Sequence, residues 1–362
     1  MERSQLFAER SWQLSSFPRR CNLNRSRRIS AYFLIIISGL TSCQRHPPTI
    51  TFLNWDDYTG AGVKESFTRS TGITINEKNY GTNEELMGIL ENTHADIIVP
   101  STYAVDILAA KGRLGPLAWS SLNNAAMVPQ AYRNMPEAKH CIPYTWSAIA
   151  FFYDRTKLST APGLDILFDP KKRKPFAGHI LLLDDRRAML GLALRYLGYS
   201  VNTIDAEALS KATALLREVK KDTLLFASGL LVDRIASTPS VWLGVSWSGD
   251  ARWAAAKRPD INVILPDQTV VYVDWACITH DATPAATKFL DHLLDPKEAA
   301  ALTQTTHYSP VNLGAESRAP ADIQSIIKEW REASARINPE MIQDVGPIGD
   351  QKYETAWLAV KQ

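Results

Sequence analysis

Two large aromatics and two carboxylates stand together in the stretch "TFLNWDDYTG", residues 51–60. Trp55, Asp56, Asp57 and Tyr58 follow what reads as the end of a buried strand. The pairing of ring and acid recurs along the chain. Tyr103 lies in "PSTYAVD", Asp184 and Asp185 in "HILLLDD", Trp247 and Asp250 in "SWSGD", Tyr272 and Asp274 in "VYVDW", and Tyr308 in "HYSP". This inventory suits an organic cation. A ring face attracts a cation by ~0.5–2 kcal/mol per contact, and a carboxylate gives an ammonium a charge-assisted hydrogen bond. Aromatic walls also cover a methylene chain.

The same inventory is poor in catalytic chemistry. No GxSxG elbow, phosphate loop, HExxH or paired general acid and base stands out. His94, His140, His179, His280, His292 and His307 are scattered and read as surface or core histidines. No cofactor or metal is called for, and the protein is expected not to be an enzyme. An anion or a metal would ask for Arg or His/Tyr clusters instead. Each candidate also has a plainer reading. A ring after a strand is more often packing. Asp184 or Asp185 could cap the next helix or pair with Arg186 and Arg187, and Asp250 could cap a helix beginning at Ala251. Their joint appearance at several strand ends is what singles them out.

The elements that would position these residues alternate. "TITFLNW", "ITINEKNY" and "ADIIVPS" read as strands. Between and after them come the helices "GVKESFTRSTG", closed by Gly72, "TNEELMGILEN", opened by Thr82, and "VDILAAKG". After "IPYTWSAIAFFYD" the alternation restarts with the strand "GHILLLDD". The helices "AMLGLALRYLG" and "AEALSKATALLREVKK" follow, then the strands "VWLGVSW", "INVILPD" and "TVVYVDWACIT", then late helices through "PADIQSIIKEWREAS". This order predicts an α/β fold with a mostly parallel sheet and helices on both faces. In such a sheet ligands collect outside the carboxyl ends of the strands, where the ring and acid pairs fall.

The first residues concern address. Met1 to Ser42 holds seven Arg and two Glu, a formal +5, ahead of the apolar run "AYFLIIISGL". A basic segment followed by roughly ten apolar residues predicts a secretory signal, since a membrane span needs about 20. "LTSC" resembles a bacterial lipobox, which predicts lipidation at Cys43 and anchoring of the exported protein to a membrane. The whole chain has 40 Lys+Arg and 38 Asp+Glu, so the part after Ser42 carries 33 against 36, a formal −3. No basic run there suggests nucleic acid, and "KKRK" at Lys171 to Lys174 reads as a solvated turn. Cys141 and Cys277 are the cysteines left once Cys21 and Cys43 are set aside. They could form one disulfide in an exported chain, and the sequence leaves that open. About 320 residues after the signal exceed one ordinary core and predict two domains.

An ordered series of segments resembles the spermidine/putrescine-binding proteins of bacterial polyamine ABC importers. It comprises "FLNWDDY", "FTRSTGI", "DIIVPSTYAVD", "IPYTWSAIAFFYD", "GHILLLDDRR", "LRYLGYSVNT", "GVSWSGDA", "YVDWACI", "HYSPVN" and "QDVG", and it covers almost all of 49–362. The resemblance implies a type II periplasmic binding protein, two α/β lobes closing over ligand. The signal would be 1–42, the first lobe 49–147 plus 273–316, and the second 148–272 plus 317–362. By the same resemblance Trp55, Tyr58, Tyr103, Trp247, Tyr272 and Tyr308 match an aromatic box. Asp57 and Asp274 match carboxylates that hold an amine, Asp185 an acid of the spermidine-type "DDxxE" segment, and Asp250 the aspartate of a putrescine-type "WxGD". Two positions depart from the family: Ala188 stands for a glutamate and Ile342 for a glutamine. Asp56 replaces a small hydroxyl residue and adds a charge. The departures lean toward putrescine, or a mixed diamine and spermidine preference.

The resemblance thus implies an extracytoplasmic binding lipoprotein that captures a polyamine and delivers it to membrane permease subunits. A sensor passing amine occupancy to a membrane signalling protein is the alternative, and the pocket alone does not separate the two.

Overall fold

The computed structural model describes residues 47–56 and 58–362. The expected signal segment, the lipobox with Cys43, and Asp57 lie outside the described residues.

Strand β1 (Thr49–Trp55) is central to the first half of the chain. Its side chains alternate with the period of a pleated strand: Ile50 and Phe52 enter one apolar cluster, Leu53 another on the opposite face. β1 pairs in parallel with β2 (Thr74–Tyr80) and β3 (Ile97–Ile98). Helix Val63–Thr71 covers one face through Val63 and Phe67, and Phe67 meets Phe289 with ring centroids 4.9 Å apart. Gly72 ends that helix at φ 72°, a left-handed conformation that residues with a Cβ resist. Thr82 opens helix Asn83–Asn92, its hydroxyl accepting from the Glu85 N–H at 3.0 Å.

The segment "IPYTWSAIAFFYD" falls within β4 (Cys141–Asp154), a 14-residue strand buried almost throughout. Three strands of the second half pair in parallel: β5 (Ile180–Leu183) lies between β6 (Thr223–Ala227) and β7 (Leu243–Trp247). β8 (Ile261–Ile264) and β7 both run antiparallel to the end of β4. β9 (Val270–Ile278) runs antiparallel to the beginning of β4, from Ala148↔Val271 to Cys141↔Cys277. The main strand order is β2-β1-β3-β9-β4-β7-β5-β6. The sheet is therefore mixed rather than mostly parallel. The strands β1, β2, β3, β5 and β7 were foreseen and pair in parallel, β6 was not foreseen, and β4 and β9 form a long antiparallel ribbon between the parallel pairs.

That ribbon joins separate cores. Ile142 and Tyr144 of β4 pack with Phe52 and Phe289, whereas Ile149 to Tyr153 enter the large cluster around Ile180–Leu183. β9 divides likewise, with Val270 and Tyr272 in the large cluster and Val273, Trp275 and Cys277 in the cluster around Leu53 and Tyr80. Helix Ala206–Lys220 shows how the large core is built. Asp205 caps it, and Leu209, Ala212, Leu216 and Val219 line one buried stripe at spacings of three and four. Helix Ala321–Arg336 contributes Ile323 and Ile327 to a small cluster with Ala299, Ala300 and Ala315. A final helix, Gly346–Lys361, returns Tyr353, Trp357 and Val360 to the large core.

The segment "KKRK" corrects an expectation. It lies in short helical turns, and Arg173 is buried, donating to Asp222 at 2.7 Å and to the Leu167 carbonyl at 2.9 Å. An arginine whose planar fork finds fixed acceptors is a structural tie even within a basic run.

Cys141 and Cys277 face each other across β4 and β9 and form a disulfide closing a loop of 136 residues. Cross-linking so long a loop restricts the unfolded chain. Replacing both cysteines with serine is expected to lower the unfolding free energy by about 2–5 kcal/mol. Urea titration of the oxidised protein and the double variant checks this, and equal midpoints would contradict it.

Candidate functional site

A cavity of about 840 Å³ opens where the carboxyl ends of the parallel strands meet the β4–β9 ribbon. Trp55 ends β1, and Tyr58 lies just beyond it. Tyr103 sits in the first turn of helix Thr102–Ala110. Asp185 follows β5 and Trp247 ends β7. Asp250 lies in the first turn of helix Ser248–Lys257, which begins before Ala251, so it does not cap the helix there. Tyr272 and Asp274 stand two residues apart on β9 and therefore point to the same face. Tyr308 follows helix Pro296–Thr306. These residues and Asp56, exposed at the rim, all line the cavity.

Asp274 sits at the bottom, where β4 and β9 pass between cores. It is buried, and its oxygens accept from the Ser101 hydroxyl at 2.7 Å and the Tyr58 hydroxyl at 2.9 Å. Thr145, its cross-strand partner, bonds the Tyr58 hydroxyl at 2.6 Å. Burial pushes the Asp274 carboxyl above the usual range, and the three hydroxyls partly offset this. Asp250 is half-buried and shares the cavity lining with Trp247, Trp253 and Tyr308. Burial pushes it up to about 7, with the Tyr308 hydroxyl pulling the other way. Neither carboxylate forms an ion pair among the described residues. Burying a charge in this way costs free energy unless a partner arrives.

The rings form the walls. Tyr58 meets Tyr308 edge to face at 5.2 Å, and Trp247 meets Tyr272 at 4.8 Å with planes 87° apart. Trp55 leans on Tyr80 at 4.9 Å. The Tyr103 hydroxyl accepts from Asn83 at 3.0 Å. Buried in the walls, the Trp55 indole Nε1 and the Tyr272 hydroxyl have no hydrogen-bond partner among the described residues.

Asp185 differs from the other acids. It caps helix Arg186–Tyr196, accepting from the Ala188 N–H at 2.7 Å, and Arg186 and Arg187 lie close enough to favour its charged form. Burial nonetheless dominates and raises its pKa. Arg186 reaches Glu354 at 2.9 Å and Glu84 at 3.5 Å on the cavity rim. Asp184 pairs with Lys361 at 2.9 Å. Glu84, Glu354 and Asp184 are therefore matched by cations, whereas Asp274 and Asp250 have no such match among the described residues. Ala188 and Ile342 belong to the large core and do not line the cavity.

Sequence reasoning passed over Ser101, Thr145, Asn83, Tyr80 and Trp253. Ser101 was within a quoted segment, one residue before the helix that carries Tyr103. Thr145 becomes visible as a partner of Asp274 only once the β4–β9 register is known.

The sequence profile of the bacterial extracellular solute-binding proteins matches residues 63–329. The chain belongs to that family. Its fold is that of a type II periplasmic binding protein, and membership makes it a solute-binding protein rather than an enzyme. It is 29% identical to the spermidine/putrescine-binding periplasmic protein of Escherichia coli K12 over 324 residues, spanning 86% of this chain and 91% of that one. It is 24% identical to the putrescine/cadaverine-binding protein of Pseudomonas aeruginosa over 327 residues, covering 85% and 92%. A solved structure from Listeria monocytogenes, provisionally described as a spermidine/putrescine ABC transporter, superposes with TM-score 0.76 at 25% identity. It spans 87% of this chain and 99% of that one.

The raised Asp250 carboxyl has a stability consequence. Its native pKa of about 7 exceeds the unfolded value, so its contribution to stability is full below the unfolded pKa and is lost as pH rises through 7. Replacing Asp250 with asparagine is expected to flatten the loss of stability between about pH 4 and pH 7. Denaturant titrations across that range check this, and parallel profiles for both proteins would contradict it.

Proposed function

We propose that this protein is the polyamine-capturing subunit of an ABC importer, held at the extracytoplasmic membrane face by a lipid on Cys43. One observation carries the reading: Asp274 and Asp250 lie in one aromatic cavity, both pushed toward the protonated form and neither paired with a cation among the described residues. An ammonium supplies the missing charge, and the rings of Tyr58, Tyr308, Trp247 and Tyr272 cover the methylenes beside it. Asp57, by its place in "NWDDY", is assigned to the same pocket, with Asp56 at its rim, Trp55 and Tyr103 in its walls and Asp185 at its far end. The relatives bear names for putrescine, cadaverine and spermidine binding, which agrees with this chemistry.

The separate cores support a division into two lobes. We assign 49–147 plus 273–316 to the first and 148–272 plus 317–362 to the second, with helix Ala321–Arg336 spanning the seam. Carboxylates from both sides then meet one ligand. Asp274 comes from the crossing ribbon and Asp250 from the second lobe, so an amine stabilises the closed arrangement over the open one. The closed form docks on permease subunits, and ATP hydrolysis elsewhere in the importer drives release. The binding subunit itself makes and breaks no covalent bond.

Calorimetric titration of residues 44–362 with putrescine, cadaverine, spermidine and spermine, and an amino acid as control, tests the ligand. Tight binding of at least one polyamine is expected, weakened by roughly 2–5 kcal/mol in Asp274→Asn because one charge of a buried pair is removed. No binding of any amine, or full affinity in the variant, would contradict the reading. Proton linkage gives an independent check. An arriving ammonium drives the Asp250 proton off, so affinity is expected to fall as pH drops from 8 to 6 while binding near pH 7 releases protons to the buffer. Heats independent of buffer ionisation at pH 7 would exclude that role for Asp250.

A further inference from the structure

Helix Ser248–Lys257 sets Asp250, Trp253 and Lys257 on the cavity wall, at spacings of three and four that share one helical face. Two consecutive residues of a different segment, His307 and Tyr308, lie against it. The Tyr308 ring rests directly on Gly249, where an added Cβ would come within 2.3 Å of it. The His307 ring lies over Trp253 with centroids 6.0 Å apart and planes 22° from parallel. The Lys257 ammonium lies 5.0 Å from the Trp253 ring centre. Trp253 thus meets both a cation and an imidazole.

The backbone at His307 adds a second observation. The residue closes helix Pro296–Thr306 at φ 58° and ψ 8°, in the left-handed region. Among the described residues only Leu230 is the other non-glycine at positive φ. Glycine is the usual residue at such a helix end because it has no Cβ to clash. A histidine there accepts a backbone cost that glycine would avoid, so its side chain has work to do. Among the described residues its imidazole makes one ring contact, with Trp253, and its Nδ1 has no hydrogen-bond partner.

We propose that the His307 ring, stacked on Trp253, is a positioning contact that holds Tyr308 against Gly249 beside Asp250. The stack fixes one aromatic wall of the cavity from outside it. Trp253 serves in turn as an outer wall residue that the ring and acid motifs do not mark. The binding readout of this proposal rests on the polyamine reading above, while its structural readout does not.

The test separates ring from backbone. His307→Gly and His307→Asn both tolerate positive φ, so a loss common to them belongs to the ring. Both, and Trp253→Leu, are expected to weaken putrescine or spermidine binding by about 3- to 10-fold, chiefly through faster release. The double variant Trp253→Leu/His307→Gly is expected to bind no more weakly than the weaker single variant, because the two share one contact. A crystal structure of His307→Gly should show the Tyr308 ring displaced from Gly249. Unchanged affinity in both His307 variants, or losses that multiply in the double variant, would overturn the proposal. If the wild-type protein binds neither amine, the polyamine reading falls and the crystal structure decides alone. A displaced ring then sustains the positioning role, and a ring still seated on Gly249 ends it.

Discussion

A carboxylate buried with no cation paired to it among the described residues is the constraint around which this molecule is arranged. Asp274 lies where two long antiparallel strands carry the chain from one set of cores to another. Hydroxyls from three different segments, Ser101, Tyr58 and Thr145, converge on it. Neutral donors lower the cost of burial without removing it, since each orients a dipole and none supplies a charge. Asp250, half-buried in the lining of the same cavity, also has its carboxyl raised by burial, with one hydroxyl, that of Tyr308, acting against the shift. Two such groups facing one cavity leave the empty protein less stable than it would be with asparagines there. The deficit is recovered when a cation enters, so the same geometry that costs folding energy provides binding energy.

The rest of the architecture keeps that situation intact. The disulfide ties β4 to β9 at Cys277, close along β9 to Asp274, and the ladder it helps to hold is the one that sets Thr145 opposite Asp274. Rings line the cavity beside the carboxylates, and an apolar surrounding of that kind strengthens any charge interaction inside. At the rim, Arg186 and Lys361 engage Glu84, Glu354 and Asp184, so these three acids are occupied while Asp274 and Asp250 are left for ligand. Glycine at 249 lets the Tyr308 ring lie on the helix backbone. Small residues and paired charges thus matter here for what they leave open.

Much of this was legible in the sequence because the site follows local rules. Rings and acids just past apolar runs mark strand ends, and strand ends are where an α/β sheet gathers ligands. The helix limits at Gly72 and Thr82 were readable from capping chemistry alone. Long-range pairing was not readable. The segment "IPYTWSAIAFFYD" is nearly all apolar, so it shows no alternation to reveal a strand buried on both faces, and its antiparallel partnership with β9 made the sheet mixed. The short strand Thr223–Ala227 and the last helix carry weak periodic signals and depend on packing against the large core. Ser101 and Thr145 were missed for the same reason, since a hydroxyl gains meaning from the acid it faces, and that acid lies 129 residues from Thr145. "KKRK" failed in the opposite sense, because charge composition does not reveal that Arg173 reaches buried carbonyls.

The most direct measurement is a high-resolution crystal structure of residues 44–362 grown with putrescine, with a parallel crystal grown with spermidine. The account predicts an ammonium nitrogen within hydrogen-bond distance of an Asp274 oxygen, the carbon chain lying against the rings of Tyr308 and Trp247, and a second nitrogen directed at Asp250. Amine density found only outside the cavity, or an anion occupying the space between Asp274 and Asp250, would contradict it.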